Sequence, residues 1–157
     1  MKTKISTIAT MALCFGFTLA NAQDLKEAEV PANVKQGFSK KYPGSKVEKW
    51  EKEGEDYEAE FHLKKIESSA VFTSNGTFKE LEQEIKLSEL PNAAMDYCTK
   101  NYVGYKIAEV AKITDATGKV MFEAEMEKGK EHFDAIFDDK GNFIKKGDVE
   151  TGKEDKD

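Results

Sequence analysis

Few side chains in this sequence could do covalent chemistry. Past the N-terminal segment there is one cysteine, Cys98, and the chain has two histidines, His62 and His132. A cysteine with a histidine as base is the smallest set for thiol catalysis. Cys98, however, lies four residues after Ala94 and four before Tyr102, on the apolar face of a predicted helix. A free thiol there packs as a small hydrophobe, and burial raises its pKa and makes it inert. His62 falls on the polar side of a predicted strand beside Glu60 and Lys64, and His132 at a turn or strand start. Neither has metal-ligand spacing to a second histidine or cysteine. The sequence nominates no catalytic residue, no metal ligand and no cofactor, and reads as a non-enzyme.

Carboxylates are the next candidates. Glu58, Glu60, Glu123 and Glu125 alternate with apolar residues and would form rows on an open sheet face. Two-carboxylate hydrolysis needs one acid raised in pKa by burial, and within the strands nothing apolar brackets these residues on their own side. They read as a solvated face. Asp134, Asp138, Asp139 and Asn142 approach the spacing of a calcium loop but lack its closing bidentate glutamate. Asn75-Gly76-Thr77 matches a glycosylation acceptor and equally a hairpin turn, and is read as the turn. A better functional candidate is a partner surface. Val71 and Ile136 occupy equivalent outward positions, and Met121 joins Ile136 among acids; apolar residues on a charged open face mark binding sites. Asp115 and Thr117 lie in a hairpin longer than its counterpart, where function is readily added to a scaffold.

Composition narrows the partners. The 157 residues are 39% hydrophobic and 34% charged, with formal charge −6, and every basic residue is lysine. The negative balance disfavours nucleic acid and anionic membrane, and the lack of arginine removes the planar fork suited to phosphate. Lys2 and Lys4 precede an uncharged apolar run over 5–19, and Ala20-Asn21-Ala22 is a small-x-small cleavage site. Residues 1–22 are thus expected to be a signal peptide, with the mature chain beginning at Gln23, periplasmic or secreted, and with no membrane anchor after cleavage. The mature 135 residues carry 22 basic and 30 acidic side chains, hence −8, and one cysteine, so no intramolecular disulfide can brace them.

The elements that must position these groups repeat. Residues 30–52 overlay 90–112, and 57–80 overlay 122–145, with 14 identities over 47 positions where about three would arise by chance. Each copy opens at a proline, Pro31 or Pro91, suited to a first helical turn. Val34, Phe38 and Tyr42, and again Ala94, Cys98 and Tyr102, then follow at helical spacing. Alternation over Tyr57, Ala59, Phe61 and Leu63, over Val120, Phe122, Ala124 and Met126, and over Phe133, Ala135 and Phe137 predicts strands. Asn75-Gly76 and Lys140-Gly141 predict tight turns before short last strands. The expectation is an α+β protein of two tandem helix-then-antiparallel-sheet repeats, α-β-β-β(-β) twice, with helices packed on one sheet face. The first repeat spans 23–82, a linker 83–89, the second repeat 90–146, and a disordered charged tail 147–157.

At Pro31, Phe38, Tyr42-Pro43-Gly44, Lys46-Val47, Trp50, the run from Tyr57 to Phe61 and the run from Phe72 to Phe78, the chain resembles the PepSY-like, β-lactamase-inhibitor-protein-like domains of exported Bacteroidetes proteins. The second copy departs from the pattern, with Val103 for the proline and Cys98 for Phe38. These motifs are turns and core positions. The resemblance implies a β-lactamase-inhibitor-protein-like fold and no catalytic residues. It also implies a non-enzymatic module that binds a periplasmic protein or peptide as inhibitor or regulator. The competing class is a small-molecule or divalent-ion binder using the acidic sheet face.

Overall fold

The computed structural model describes residues 23–151; the expected signal peptide and the last six residues of the expected tail lie outside them. In chain order the elements are β1 (Gln23–Leu25), α1 (Ala32–Lys41), β2 (Val47–Glu53), β3 (Asp56–Leu63), β4 (Ile66–Thr73), β5 (Phe78–Glu84), α2 (Asn92–Asn101), β6 (Lys106–Asp115), β7 (Val120–Lys128), β8 (Glu131–Asp138), β9 (Phe143–Lys146) and β10 (Glu150–Thr151).

The expected pair of tandem helix–sheet units is not what forms. All ten strands join one antiparallel sheet in the order β1-β2-β3-β4-β5-β6-β7-β8-β10, with β9 also on β8, and the two helices are only ten residues each. The fold is mostly β. The decisive ladder is β5 against β6, five registered pairs from Glu80↔Asp115 to Glu84↔Ala111. It converts the stretch read as the start of a linker into the centre of the sheet. The reason is elementary: two small sheets would each leave an edge of unpaired amides and carbonyls, whereas joining β5 to β6 satisfies both. The stretch read as tail also contains β10, which pairs with β8 at Glu150↔His132 and Thr151↔Glu131.

Each helix starts the same way. A short 3-10 turn (Glu27–Glu29, Leu87–Glu89) is closed by a carboxylate that accepts the amide of the residue three earlier, Lys26 N to Glu29 at 2.8 Å and Lys86 N to Glu89 at 3.0 Å. Pro31 and Pro91 follow as the residues just before the helices, needing no donor. Gly44 and Gly104 end them in the left-handed region, at φ of 83° and 89°, which a side chain would resist.

One face of the sheet takes both helices. Val34, Phe38 and Tyr42 pack on Trp50, Ala59, Phe61, Ala70 and Phe72, with Phe38 edge-on to Phe61 at 5.0 Å between ring centres. Ala94 and Cys98 pack on Val110, Ala124, Met126, Phe133, Ala135 and Phe137. Where α1 carries Gly37, the β4–β5 turn comes so close that a Cβ would strike the Gly76 carbonyl oxygen. The equivalent residue of α2 is Tyr97, which stacks on Phe143 at 4.5 Å. The opposite face receives no helix among the described residues. Among the described residues no helix is long and apolar enough to cross a membrane.

Candidate functional site

The helix-free face holds the second half of every strand's alternation, and it is rich in glutamate. In register across it run Glu51, Glu58, Val71, Glu80 and Asp115. The next row is Lys49, Glu60, Ser69, Glu82, Ile113 and Met121, and beside it lie Glu84, Ala111, Glu123 and Ile136. The expectation of a solvated face is wrong for three of its four acids, Glu58, Glu123 and Glu125. Glu51, Glu53, Glu58, Glu123 and Glu125 are all buried, Glu123 completely. The cause is cross-strand packing, which a single strand does not display. Glu123 is flanked in register by Ala111 and Ile136, and Glu58 by Glu51 and Val71, so apolar neighbours bracket acids from adjacent strands.

Burial without compensation raises a carboxyl's pKa, because the charged form loses its water. Both carboxyl oxygens of Glu123, and Oε2 of Glu58, have no hydrogen-bond partner. Burial pushes Glu123 well above the usual carboxylate range, and the nearby charges of Glu82 and Asp134 add to it. Glu58 is likewise raised, by burial first and by Glu53 second, against a hydrogen bond from Ser69. Burial pushes Glu82 up to about 8, and Glu53 and Glu109 up to about 7. This face therefore holds several protons at neutral pH.

Around Glu58 the face opens into a cleft of about 60 Å³. Its walls include Glu58, Glu60, Ser69, Glu82, Glu84 and Glu109, so it draws on β3, β4 and both strands of the central β5–β6 ladder. Seven glutamates line it and no lysine does; its one base, His62, meets Glu48 at 2.8 Å on the rim. The nearest lysine on the face, Lys49, bonds Glu51 at 2.5 Å and Asp24 at 3.0 Å and reaches Glu60 only at 3.8 Å. Among the described residues no group of three or more His, Cys, Asp or Glu side chains is arranged to hold a metal ion.

With one sheet, two helices on one face and an acidic cleft on the other, the chain can be set beside known proteins. The family described as "Putative beta-lactamase-inhibitor-like, PepSY-like" matches residues 18–78 and 63–145. The chain belongs to that family. Among solved structures, this PepSY-like chain is similar to a DUF2874 family protein from Bacteroides uniformis, at TM-score 0.63 and 18% identity over 74% of this chain and 87% of that one. A protein from Bacteroides eggerthii described as "putative periplasmic" gives 0.63 and 16% over the same shares. A BLIP-like protein from Bacteroides fragilis gives 0.58 and 21% over 81% and 92%. At these identities the likeness is one of fold. No match is found among curated proteins.

The residues picked from sequence fall in three places on the PepSY-like sheet. Val71 sits beside Glu58 in register and is 9% exposed. Met121 and Ile136 are on the helix-free face but inaccessible, packed with Ile113 in a small buried cluster. Asp115 and Thr117 shape the β6–β7 turn: Asp115 Oδ1 accepts the Thr117 amide at 2.8 Å and its hydroxyl at 2.6 Å, which with Lys119 holds the Asp115 carboxyl below its ordinary range. Asp138 does the same for Lys140 and Asn142, so of the residues resembling a calcium loop Asp138 spends both carboxylate oxygens on its own turn. Cys98 lies under α2 on the other face, 1% exposed, its thiol pushed up to about 11 by burial. What sequence reasoning missed is the Glu58–Glu82–Glu109 cleft. The available signal was the alternating Glu80, Glu82, Glu84 of a stretch read as the end of a repeat and a linker.

Proposed function

We propose that this chain is an exported, non-enzymatic module that binds a periplasmic or cell-surface protein through the helix-free face of its sheet, as an inhibitor or regulator. The observation that carries the reading is the distribution of the two faces: one is consumed by helix packing, while the other offers an acid-lined cleft that no described element covers. The family's inhibitor-like description and the periplasmic description of a structural relative support it. Val71, beside Glu58 in register, is the apolar contact next to the cleft, Met121 and Ile136 pack with Ile113 within the same face, and Asp115 stands at the end of the Glu58 row with Thr117 in the adjoining turn. Export rests on the leader over 1–22, and intact mass of the exported protein should correspond to a chain beginning at Gln23; a retained or lipid-modified leader would reverse that.

The test of binding is capture from periplasmic extract with the mature chain, side by side with a Glu60→Lys, Glu84→Lys variant. Both residues line the cleft, with Glu84 exposed and Glu60 partly so, and the substitutions should leave the melting curve nearly unchanged. A protein retained by the parent and lost by the variant supports the reading. The same proteins retained equally by both would place binding elsewhere.

A further inference from the structure

The cleft has a charge pattern that specifies more than a generic partner. We infer that it is a receptor for one lysine side chain of the bound protein, whose ammonium enters among Glu58, Glu82 and Glu109. This inference rests on the proposed protein-binding reading and specifies its chemistry.

Glu58 is the central observation. It lines the cleft, is only 4% exposed, and presents Oε2 without a hydrogen-bond partner. A buried acceptor left unmade costs the folded chain free energy that a donor can recover. Ser69 donates to the Glu58 carboxyl and Glu53 shares a hydrogen bond with it, but neither reaches Oε2. The other charged groups facing Glu58 are the acids Glu53, Glu51 and Glu82, and the lysines of the face are engaged at its margins, Lys49 with Glu51 and Asp24, Lys79 with Asp56 at 2.6 Å. Two further features favour an alkylammonium over other cations. An ammonium carries three donors, matching several single acceptors better than a bidentate pair. Lastly, no cluster of three or more metal-ligating side chains exists among the described residues.

Proton traffic follows from this geometry. In the free chain burial raises the carboxyl of Glu58 and pushes Glu82 up to about 8 and Glu109 up to about 7. An ammonium among them favours the charged forms, so binding should expel protons to buffer.

The test is titration calorimetry of the mature chain with tetralysine peptide at pH 7.0 and low salt, in phosphate and in Tris. The expected result is 1:1 binding with a buffer-dependent enthalpy that reports proton release. Tetralysine acetylated at every Nε should not bind. Glu58→Gln should weaken binding roughly tenfold, the loss of one charge-assisted hydrogen bond, while Glu55→Gln, exposed in the β2–β3 turn, should change it less than about twofold. Glu82→Gln serves as the second variant should Glu58→Gln not melt cooperatively. The inference is overturned by equal binding of the acetylated peptide, by equal weakening in Glu58→Gln and Glu55→Gln, or by stoichiometric displacement of the peptide by calcium. Binding of spermidine as tight as that of tetralysine would replace a protein lysine by a free polyamine and also overturn it. If tetralysine fails while the Glu60→Lys, Glu84→Lys variant still loses its captured protein, the lysine site falls and the protein-binding reading stands.

Discussion

Glu123→Gln should remove one buried carboxyl's contribution to the pH dependence of stability. Glu123 is fully buried between Ala111 and Ile136, and neither carboxyl oxygen has a partner. Burial keeps it protonated in the folded chain well above the range where the unfolded chain, near 4.5, has already released its proton. Between those limits folding must take up a proton. Glu123 by itself therefore costs the parent protein about 1.4 kcal/mol for each pH unit above 4.5, until pH reaches its folded-state pKa, beyond which the loss stays constant. Glutamine has nearly the same shape and no proton to take up. Glu82, Glu58 and Glu109 give the parent and the variant similar slopes, so the informative quantity is the difference between them. Above pH 5.0 that difference should grow with pH in favour of the variant, by up to about 1.4 kcal/mol per pH unit while the folded-state carboxyl stays protonated, a widening of up to about 5 °C per unit in melting temperature for a chain of this size. Thermal denaturation followed by circular dichroism, at half-unit pH intervals, reads it directly. Parallel curves would mean that Glu123 titrates alike in both states, and a parent that gains on the variant with rising pH would mean that its carboxylate is stabilised by the fold. Either result refutes the reasoning.

Three further substitutions test other parts of the structure. Cys98→Ser should cost about 1–3 kcal/mol by placing a hydroxyl among apolar atoms, and the native thiol should react with a thiol reagent only after unfolding; rapid labelling of native protein would contradict its burial. Lys64 and Lys65 both stand in the left-handed region at the β3–β4 turn, φ 55° and 72°, whereas the equivalent of Lys64 in the second half is Gly129. Lys64→Gly should therefore raise stability by about 0.5–1 kcal/mol in urea titration, the relieved strain outweighing the glycine's unfolded-state entropy. Helix propensity alone would make Gly37→Ala stabilising by about 1 kcal/mol, yet its Cβ would meet the Gly76 carbonyl oxygen. The expected outcome is a loss of about 2 kcal/mol, and a stabilised variant would show that the turn yields easily.

What could be read from the sequence was whatever is local. The helices were legible from Pro31 and Pro91 and from apolar residues at four-residue spacing, and the strands from alternation such as Tyr57, Ala59, Phe61 and Leu63. The β5–β6 ladder was not, because Phe78–Glu84 is mostly charged or polar and its partner lies some thirty residues on, across α2. Treating the repeats as separate units followed from that omission. The buried carboxyls were hidden for a related reason. A strand shows only its own alternation, in which Glu123 and Glu125 look wet; the residues that bury them, Ala111 and Ile136 among them, belong to other strands. Even the repeated N-terminal brace, Lys26 with Glu29 and Lys86 with Glu89, was present at an offset of 60 but preceded the aligned block.

The central ladder bears on how the molecule is made. While the second half is still emerging from the ribosome, β5 is paired to β4 on one side only and forms the free margin of a half-built sheet, its outward amides and carbonyls ready to join any strand that approaches. On it stand Glu80, Glu82 and Glu84, ionised in that unfinished state, so two nascent copies repel along the line where they would adhere. β6 brings Asp115, Ile113 and Ala111 opposite these three, and once it docks the repulsion between copies is no longer needed. The acids that burden the finished protein at neutral pH thus act as its guard during synthesis. Refolding below about pH 4.5 removes that guard by protonating the row, and chains that are most stable when folded should there be most prone to join edge to edge before folding is complete.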